Sequence, residues 1–198
     1  DDAKKCQLEA IKINPDDSYY WQELADIMDK QGKADQAIIY FNKSIKIQPS
    51  EYTHTEIGKN FYEKEEYKKA INHFDQALKI KNNSRTLVEK GNALYMISKD
   101  GKINSWNDAI DCYDEALELG QADKDAFGNK GNALREMKKY DDAIENLNAA
   151  IDLDPQWYWA FQMKFYAYQE MKKYDDAINF SNTILEKFPE QEEDIICN

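Results

Sequence analysis

The chain has 198 residues, of which 42% are hydrophobic and 32% charged, with 26 Lys and Arg against 38 Asp and Glu. The formal net charge of -12 disfavours nucleic acid as a partner, because phosphate binding requires clustered Lys and Arg. No purely apolar run exceeds five residues, whereas about 18 are needed to cross a bilayer, so we expect no membrane insertion. Three widely spaced cysteines, Cys6, Cys112 and Cys197, favour free thiols in a reducing compartment and therefore a cytoplasmic location.

A repeat of 34 residues organises the chain. This distance separates Pro15 from Pro49 and Pro155 from Pro189. Five Ala-Ile pairs align on the same period, with the alanines at Ala37, Ala70, Ala109, Ala143 and Ala177. Twelve positions earlier, after removal of an insertion in the third repeat, lie Ala25, Gly58, Gly91, Gly131 and Phe165. The alignment predicts five modules, which span residues 18–50, 51–83, 84–123, 124–157 and 158–191.

Each module contains two runs in which apolar residues recur every three or four positions. In the fourth module the first run includes Phe127, Gly131 and Leu134, and the second includes Ala143 and Leu147. This spacing predicts two amphipathic helices joined by a short turn. Small residues in the middle of both helices allow two backbones to approach closely, so we expect an all-α protein with tight helical hairpins.

The residue pattern of these modules resembles the tetratricopeptide repeat. In the first module the pattern comprises Trp21, Leu24, Ala25 and Met28, then Ala37 and Phe41, and finally Pro49. The resemblance covers essentially the whole chain and implies a right-handed α-solenoid made of a single array. In that array, residues 1–17 form the second helix of a partial repeat, and residues 192–198 begin a further helix.

The third module carries an insertion between its two helices. Eight residues, Ser98–Ser105, stand where the next module has only Lys138 and Lys139. Insertions at a module turn lie along one edge of a repeat array, so we predict a polar edge loop. Ser105 is placed to cap a helix that begins with Trp106.

The resemblance also implies that the first helix of each module lines a concave groove that binds a peptide or a helix of another protein. The second, fifth, ninth and twelfth positions of each module form one stripe on that side. Aromatic, Asn and basic residues on this stripe are the candidate partner-binding residues: Lys59, Tyr62, Asn92, Tyr95, Asn132, Arg135, Trp159 and Tyr166. The stripe also includes Thr55, Val88 and Gly128.

Features typical of catalytic and cofactor sites are missing from the sequence. The two histidines, His54 and His73, have neither Cys nor a second His at metal-ligand spacing. We expect His73 to be packed or solvated, and His54, which takes the aromatic core slot of its module, to be a hydrogen-bonded core histidine. The seven glycines form no phosphate-binding loop and no nucleophile elbow. We therefore predict a protein that is not an enzyme and that uses no cofactor or metal.

The sequence is compatible with three functions. The leading one is a protein-interaction scaffold, with a peptide or another protein as the partner. The second is a regulatory arm of a larger enzyme. The third is an assembly module that self-associates through exposed terminal helices, as incomplete repeats at both ends would allow.

Overall fold

The computed structural model describes residues 2–101, 103–120 and 123–191, which contain eleven α-helices and no β-strand. The helices are α1 (Asp2–Ile13), α2 (Ser18–Lys30), α3 (Ala34–Ile47), α4 (Glu51–Glu63), α5 (Tyr67–Ile80), α6 (Ser84–Lys99), α7 (Trp106–Glu118), α8 (Lys124–Glu136), α9 (Tyr140–Leu153), α10 (Tyr158–Glu170) and α11 (Tyr174–Lys187). A single 3-10 turn, Pro189–Gln191, follows α11. The prediction of an all-α protein is confirmed, whereas the helix predicted at 192–198 lies outside the described residues.

The even-numbered helices α2 to α10 are the first helices of the modules, and four of them begin at a side-chain cap. The side-chain oxygens of four residues accept hydrogen bonds from backbone N–H groups of the following turn: Asp17, Ser50, Asn83 and Asp123. The first N–H groups of a helix lack partners within it, so each cap fixes the residue at which the helix starts.

The turns between first and second helices contain one residue in the left-handed region. In the first, second, fourth and fifth modules this residue has φ between 60° and 69°, and it is Gly32, Glu65, Lys138 and Lys172, respectively. In the third module the inserted loop takes the place of this turn. Its ends are joined where the buried Ser105 donates its backbone N–H to Ser98 Oγ at 2.8 Å. The helix after the insertion begins at Trp106, as the sequence predicts.

Small residues lie where paired helices cross. Ala37, Ala70 and Ala143 are completely buried in the second helices α3, α5 and α9. A Cβ atom added to Gly131 of α8 would lie 3.1 Å from the carbonyl oxygen of Ala143. The two backbones therefore approach as closely as the predicted hairpin requires.

The chain divides into two compact units, with Ser105 as the last residue of the first and Trp106 as the first residue of the second. The first unit contains α1 to α6, and its core includes Leu24, Met28, Phe41 and Ile57. The second unit contains α7 to α11, and its core includes residues of α9, α10 and α11: Leu147, Phe161, Phe165 and Ile184. Within the part of the chain that is described, no helix is both long and apolar enough to pass through a lipid bilayer.

Candidate partner-binding surfaces

Neighbouring first helices contact each other directly in the first unit. The hydroxyl of Tyr52 on α4 donates a hydrogen bond to Asp26 Oδ1 on α2 at 2.9 Å. The hydroxyls of Thr55 on α4 and Thr86 on α6 lie 3.0 Å apart and share a second hydrogen bond. These contacts join the faces of α2, α4 and α6 into one continuous surface, which we call the first-helix surface of the first unit.

Burial shifts the pKa values of two polar groups on this surface. Burial raises the pKa of the Asp26 carboxyl, while the hydrogen bond from Tyr52 opposes that rise. Burial, together with the hydrogen bond to Asp26, also raises the pKa of Tyr52. The tyrosine therefore stays protonated and remains a donor throughout the physiological pH range.

Four of the predicted partner-binding residues lie in the first unit, and all four are partly buried: Lys59, Tyr62, Asn92 and Tyr95. The ammonium of Lys59 lies 2.9 Å from a carboxylate oxygen of Glu56, one turn earlier in α4. The ring of Tyr62 packs edge-on against Tyr67, with centroids 5.4 Å apart. Both side chains are thus held by neighbours, which restricts the positions they can offer to a partner.

The other four predicted residues lie in the second unit and are also partly buried: Asn132, Arg135, Trp159 and Tyr166. Arg135 on α8 is held by several neighbours, and its Nε donates to Asn132 Oδ1 at 3.2 Å. Its remaining N–H groups contact Glu136 and, on α10, Glu170, and only 12% of its side chain is exposed. This network links α8 to α10 and forms the first-helix surface of the second unit.

Trp159, which is partly exposed, packs against residues of the preceding module. Its ring stacks on Trp157, with centroids 5.0 Å apart and an interplanar angle of 29°. A Cβ atom added to Gly128 would lie 2.5 Å from Trp157 and 3.1 Å from Trp159, so the glycine makes room for both rings. Three members of the predicted stripe are buried and offer almost no surface to a partner: Thr55, Val88 and Gly128.

The two histidines, which are too far apart in sequence to be recognised as a ligand pair, contact each other in the structure. The Nδ1 atoms of His54 on α4 and His73 on α5 lie 3.3 Å apart, a distance at which one ring donates a hydrogen bond to the other. Burial lowers the pKa of both rings, and the neighbouring His54 helps to lower that of His73 to about 4. The described residues contain no group of three or more metal-ligating side chains, so the pair has no third ligand there.

The inserted loop contributes to a pocket of about 360 Å³ at the edge of the first unit. Tyr67 at the start of α5 lines this pocket together with Ile97, Asp100 and Ile103. The insertion thus adds apolar as well as polar surface to this edge, where the sequence predicts only a polar loop. The extra apolar contact comes from Ile103, which is 42% exposed.

Comparison with known families identifies the repeat independently. Four models described as "Tetratricopeptide repeat" match residues 6–39, 52–84, 125–156 and 166–187, which together are more than half of the chain. A comparison with curated proteins gives no match.

Solved structures with a similar fold include two of MamA and one of YrrB. The MamA protein superposes with a TM-score of 0.77 at 23% identity, over 89% of this chain and 94% of that one. YrrB gives 0.76 at 21% identity, over 94% of both chains. MamA from Desulfovibrio magneticus RS-1 gives 0.79 at 18% identity, over 88% of this chain and 96% of that one. Identities this low show a shared fold, and with the four repeat models they establish that the chain belongs to the tetratricopeptide repeat family.

Proposed function

We propose that the chain is a non-catalytic scaffold that binds a peptide or helical segment of a partner protein on its first-helix surfaces. The observation that carries this proposal is the direct contact between neighbouring first helices in each unit, through Tyr52 and Asp26 in one and through Arg135 and Glu170 in the other. Such contacts produce an extended surface of partly buried polar and aromatic side chains. Surfaces of this composition suit recognition of a segment of polypeptide.

The fold of the chain supports the same proposal. YrrB, one of the proteins with a similar structure, is described as a TPR protein with an unusual peptide-binding site. Its identity to this chain is 21%, so the likeness extends to the fold and not to individual binding residues.

The amides and aromatic rings are the groups best placed to bind. Asn92 and Asn132 can each donate and accept hydrogen bonds, as a peptide backbone requires. Tyr95 and Tyr166 add broad apolar contact with a polar end. Arg135 is already paired with two carboxylates, so it positions neighbouring groups and is not a free anion site. We therefore expect a ligand held by backbone hydrogen bonds and apolar side chains.

A peptide-display selection against the whole chain, followed by affinity measurement, tests the proposal. Two double variants remove candidate groups, Asn92→Ala with Tyr95→Ala in the first unit and Asn132→Ala with Tyr166→Ala in the second. The matched control, Asn72→Ala with Asn179→Ala, truncates exposed amides on the second helices α5 and α11. Helicity of every variant is checked by circular dichroism before binding is measured.

We expect one first-helix variant to weaken binding of the selected peptides at least about tenfold, equivalent to about 1.4 kcal/mol. The control should change the affinity by less than about twofold. Equal losses in the control and the first-helix variants, or no loss in any variant, would refute the placement of the site.

Self-association is a second candidate that one observation favours. On α11, Tyr174 and Ile178 are each 60% exposed and line a groove of about 330 Å³. Apolar side chains exposed together often mark an interface. Light scattering over a range of protein concentrations tests this candidate, which predicts a mass that rises with concentration in the natural chain and stays constant in an Ile178→Lys variant.

A further inference from the structure

Three of the helical hairpins carry a pair of facing rings at the same place in the repeat. One ring lies four positions before Ala25, Gly58 or Phe165, which occupy equivalent places in the first helices. The other ring lies three positions after the buried Ala of the second helix. The pairs are Trp21 with Tyr40, His54 with His73, and Phe161 with Phe180, with centroids 6.1, 5.5 and 5.9 Å apart.

The α8–α9 hairpin breaks this pattern. Its first helix has the expected ring, Phe127, but its second helix has Asn146 in place of the partner ring. The Asn146 amide donates to the backbone carbonyl of Asp142 at 2.8 Å, so this side chain is bonded to its own helix. A groove of about 510 Å³ lies at this position, lined by Phe127 and Leu134 of α8, by Ile110 of α7 and by residues of α9.

The neighbouring hairpin of the same unit shows which group fits such a position. The ring of Phe180 lies nearly parallel to Phe161, with an interplanar angle of 8°, and the ammonium of Lys164 lies 4.4 Å from its centroid. The residue equivalent to Lys164 in α8 is Lys130, which lines the groove. A ring entering the groove would therefore contact the Phe127 ring and the Lys130 ammonium, as Phe180 contacts Phe161 and Lys164.

The size of the groove is sufficient for a ring. A cavity of about 150 Å³ already accommodates benzene in an engineered protein core, and the groove is about 510 Å³. The additional space lets a ligand backbone follow its aromatic side chain along the hairpin.

The rim of the groove is acidic. Asp142 and Glu145 are exposed at its edge on α9, and Asp114 of α7 is paired with Lys130 at 2.5 Å. Three carboxylates and one ammonium leave the rim with a negative balance. Lys or Arg beside the aromatic residue of a ligand would complement these charges.

We propose that the groove between α8 and α9 binds an aromatic side chain of a partner segment that also carries flanking Lys or Arg residues. This site lies on different side chains from the first-helix surfaces, so it does not depend on the function proposed above. The partner ring takes the place that Phe180 takes in the next hairpin.

Three short capped peptides probe the site in the full chain: Lys-Lys-Phe-Lys-Lys, the same peptide with Ala in place of Phe, and Glu-Glu-Phe-Glu-Glu. Titrations are followed by the backbone amide shifts of α7, α8 and α9 in NMR spectra. The basic Phe peptide should give saturable shifts centred on the groove. The other two should bind at least about tenfold more weakly.

An Asn146→Phe variant gives the chain its own ring at this place, and it should remove the saturable shifts and leave Tm equal or higher. Asn179→Phe adds a ring at an exposed position of α11 and serves as the matched control, which should bind the peptide as the natural chain does. Phe127→Ala, which removes the aromatic ring that lines the groove, should also abolish binding. Equal binding of the Phe and Ala peptides, unchanged binding by Asn146→Phe, or a fall in its Tm of several degrees would overturn the proposal.

Discussion

At the scale of single residues, the histidine pair makes the stability of the first unit sensitive to pH. In the unfolded chain His73 takes up a proton near its ordinary pKa of 6.5, whereas burial and the neighbouring His54 lower its pKa in the folded chain to about 4. Protonation therefore favours the unfolded state as the pH falls from 6.5 towards 4. We expect the free energy of unfolding to fall by about 1 kcal/mol between about pH 7.5 and about pH 5.5. This figure allows for solvent screening, because the ring is only half-buried.

Urea unfolding at these two pH values measures that loss, and His73→Phe provides the comparison. Phe cannot take up a proton, and a ring of this type occupies the equivalent place in α11. The variant should lose less stability on acidification than the natural chain, since the carboxylates titrate alike in both. An identical loss in the two chains would show that the histidine pair does not couple folding to pH.

Gly131 is a second residue at which a small change should have a large effect. A Cβ atom there would lie 2.8 Å from Leu147 Cγ and 3.1 Å from the carbonyl oxygen of Ala143. We predict that Gly131→Ala lowers the free energy of unfolding by about 1 to 3 kcal/mol through overpacking. In an open helix the same change would be stabilising by about 1 kcal/mol.

Chemical denaturation of Gly131→Ala beside Glu145→Ala measures this effect. Glu145 is exposed on α9, so its truncation should change stability by less than about 0.5 kcal/mol. A Gly131→Ala chain that is as stable as the natural one, or more stable, would mean that the helices can separate without cost.

The sequence does not predict which side chains of different helices contact each other. The repeat alignment predicts that Arg135 lies on a first helix, but its partner Glu170 is 35 positions away. The contact depends on how α8 and α10 pack, which periodicity does not specify. His54 and His73 likewise lie on different helices. One signal was available, because both occupy the positions at which other modules carry facing rings.

At the scale of elements, a buried hydrogen bond closes the inserted loop after α6. Ser98 Oγ donates to the carbonyl of Leu94 at 3.0 Å and accepts from the N–H of Ser105 at 2.8 Å. We predict that Ser98→Ala costs about 1 to 3 kcal/mol, because it leaves a buried backbone N–H without a partner. Thermal unfolding measures the loss.

A matched change on α11 serves as the control for Ser98→Ala. Ser181 also donates to a backbone carbonyl, that of Ile178, but it accepts no buried N–H in the bonds described and lies near solvent. Ser181→Ala should therefore cost less than about 0.5 kcal/mol. Equal losses at the two sites would contradict a closing role for Ser98.

The two faces of α11 should respond differently to the same substitution. Ile178 is 60% exposed, whereas Ile184 is 1% exposed and packs with Phe161 and Phe165. We predict that Ile178→Lys changes Tm by less than about 2 °C. Ile184→Lys should unfold the end of the second unit, because it buries an unpaired charge. Similar Tm values for both variants would contradict the described face of α11.

Helices are the part of the fold that the sequence predicts well. Apolar periodicity and small residues recur at fixed spacing, so α8 and α9 follow from positions such as Gly131 and Ala143. The groove beside Asn146 does not follow from periodicity, since a polar residue at a surface position is unremarkable alone. The groove is recognised by comparison with the next hairpin, where the ring of Phe180 fills the equivalent space.

At the scale of the whole molecule, the central claim is that partner segments bind to the first helices. Hydrogen–deuterium exchange of the full chain, with and without a saturating display-selected peptide, tests it most directly. We predict that protection increases in α2, α4 and α6 or in α8 and α10, with little change in α3, α5, α9 and α11. Protection confined to the second helices would contradict binding at the first helices, and it would place partner binding on the opposite side of the hairpins.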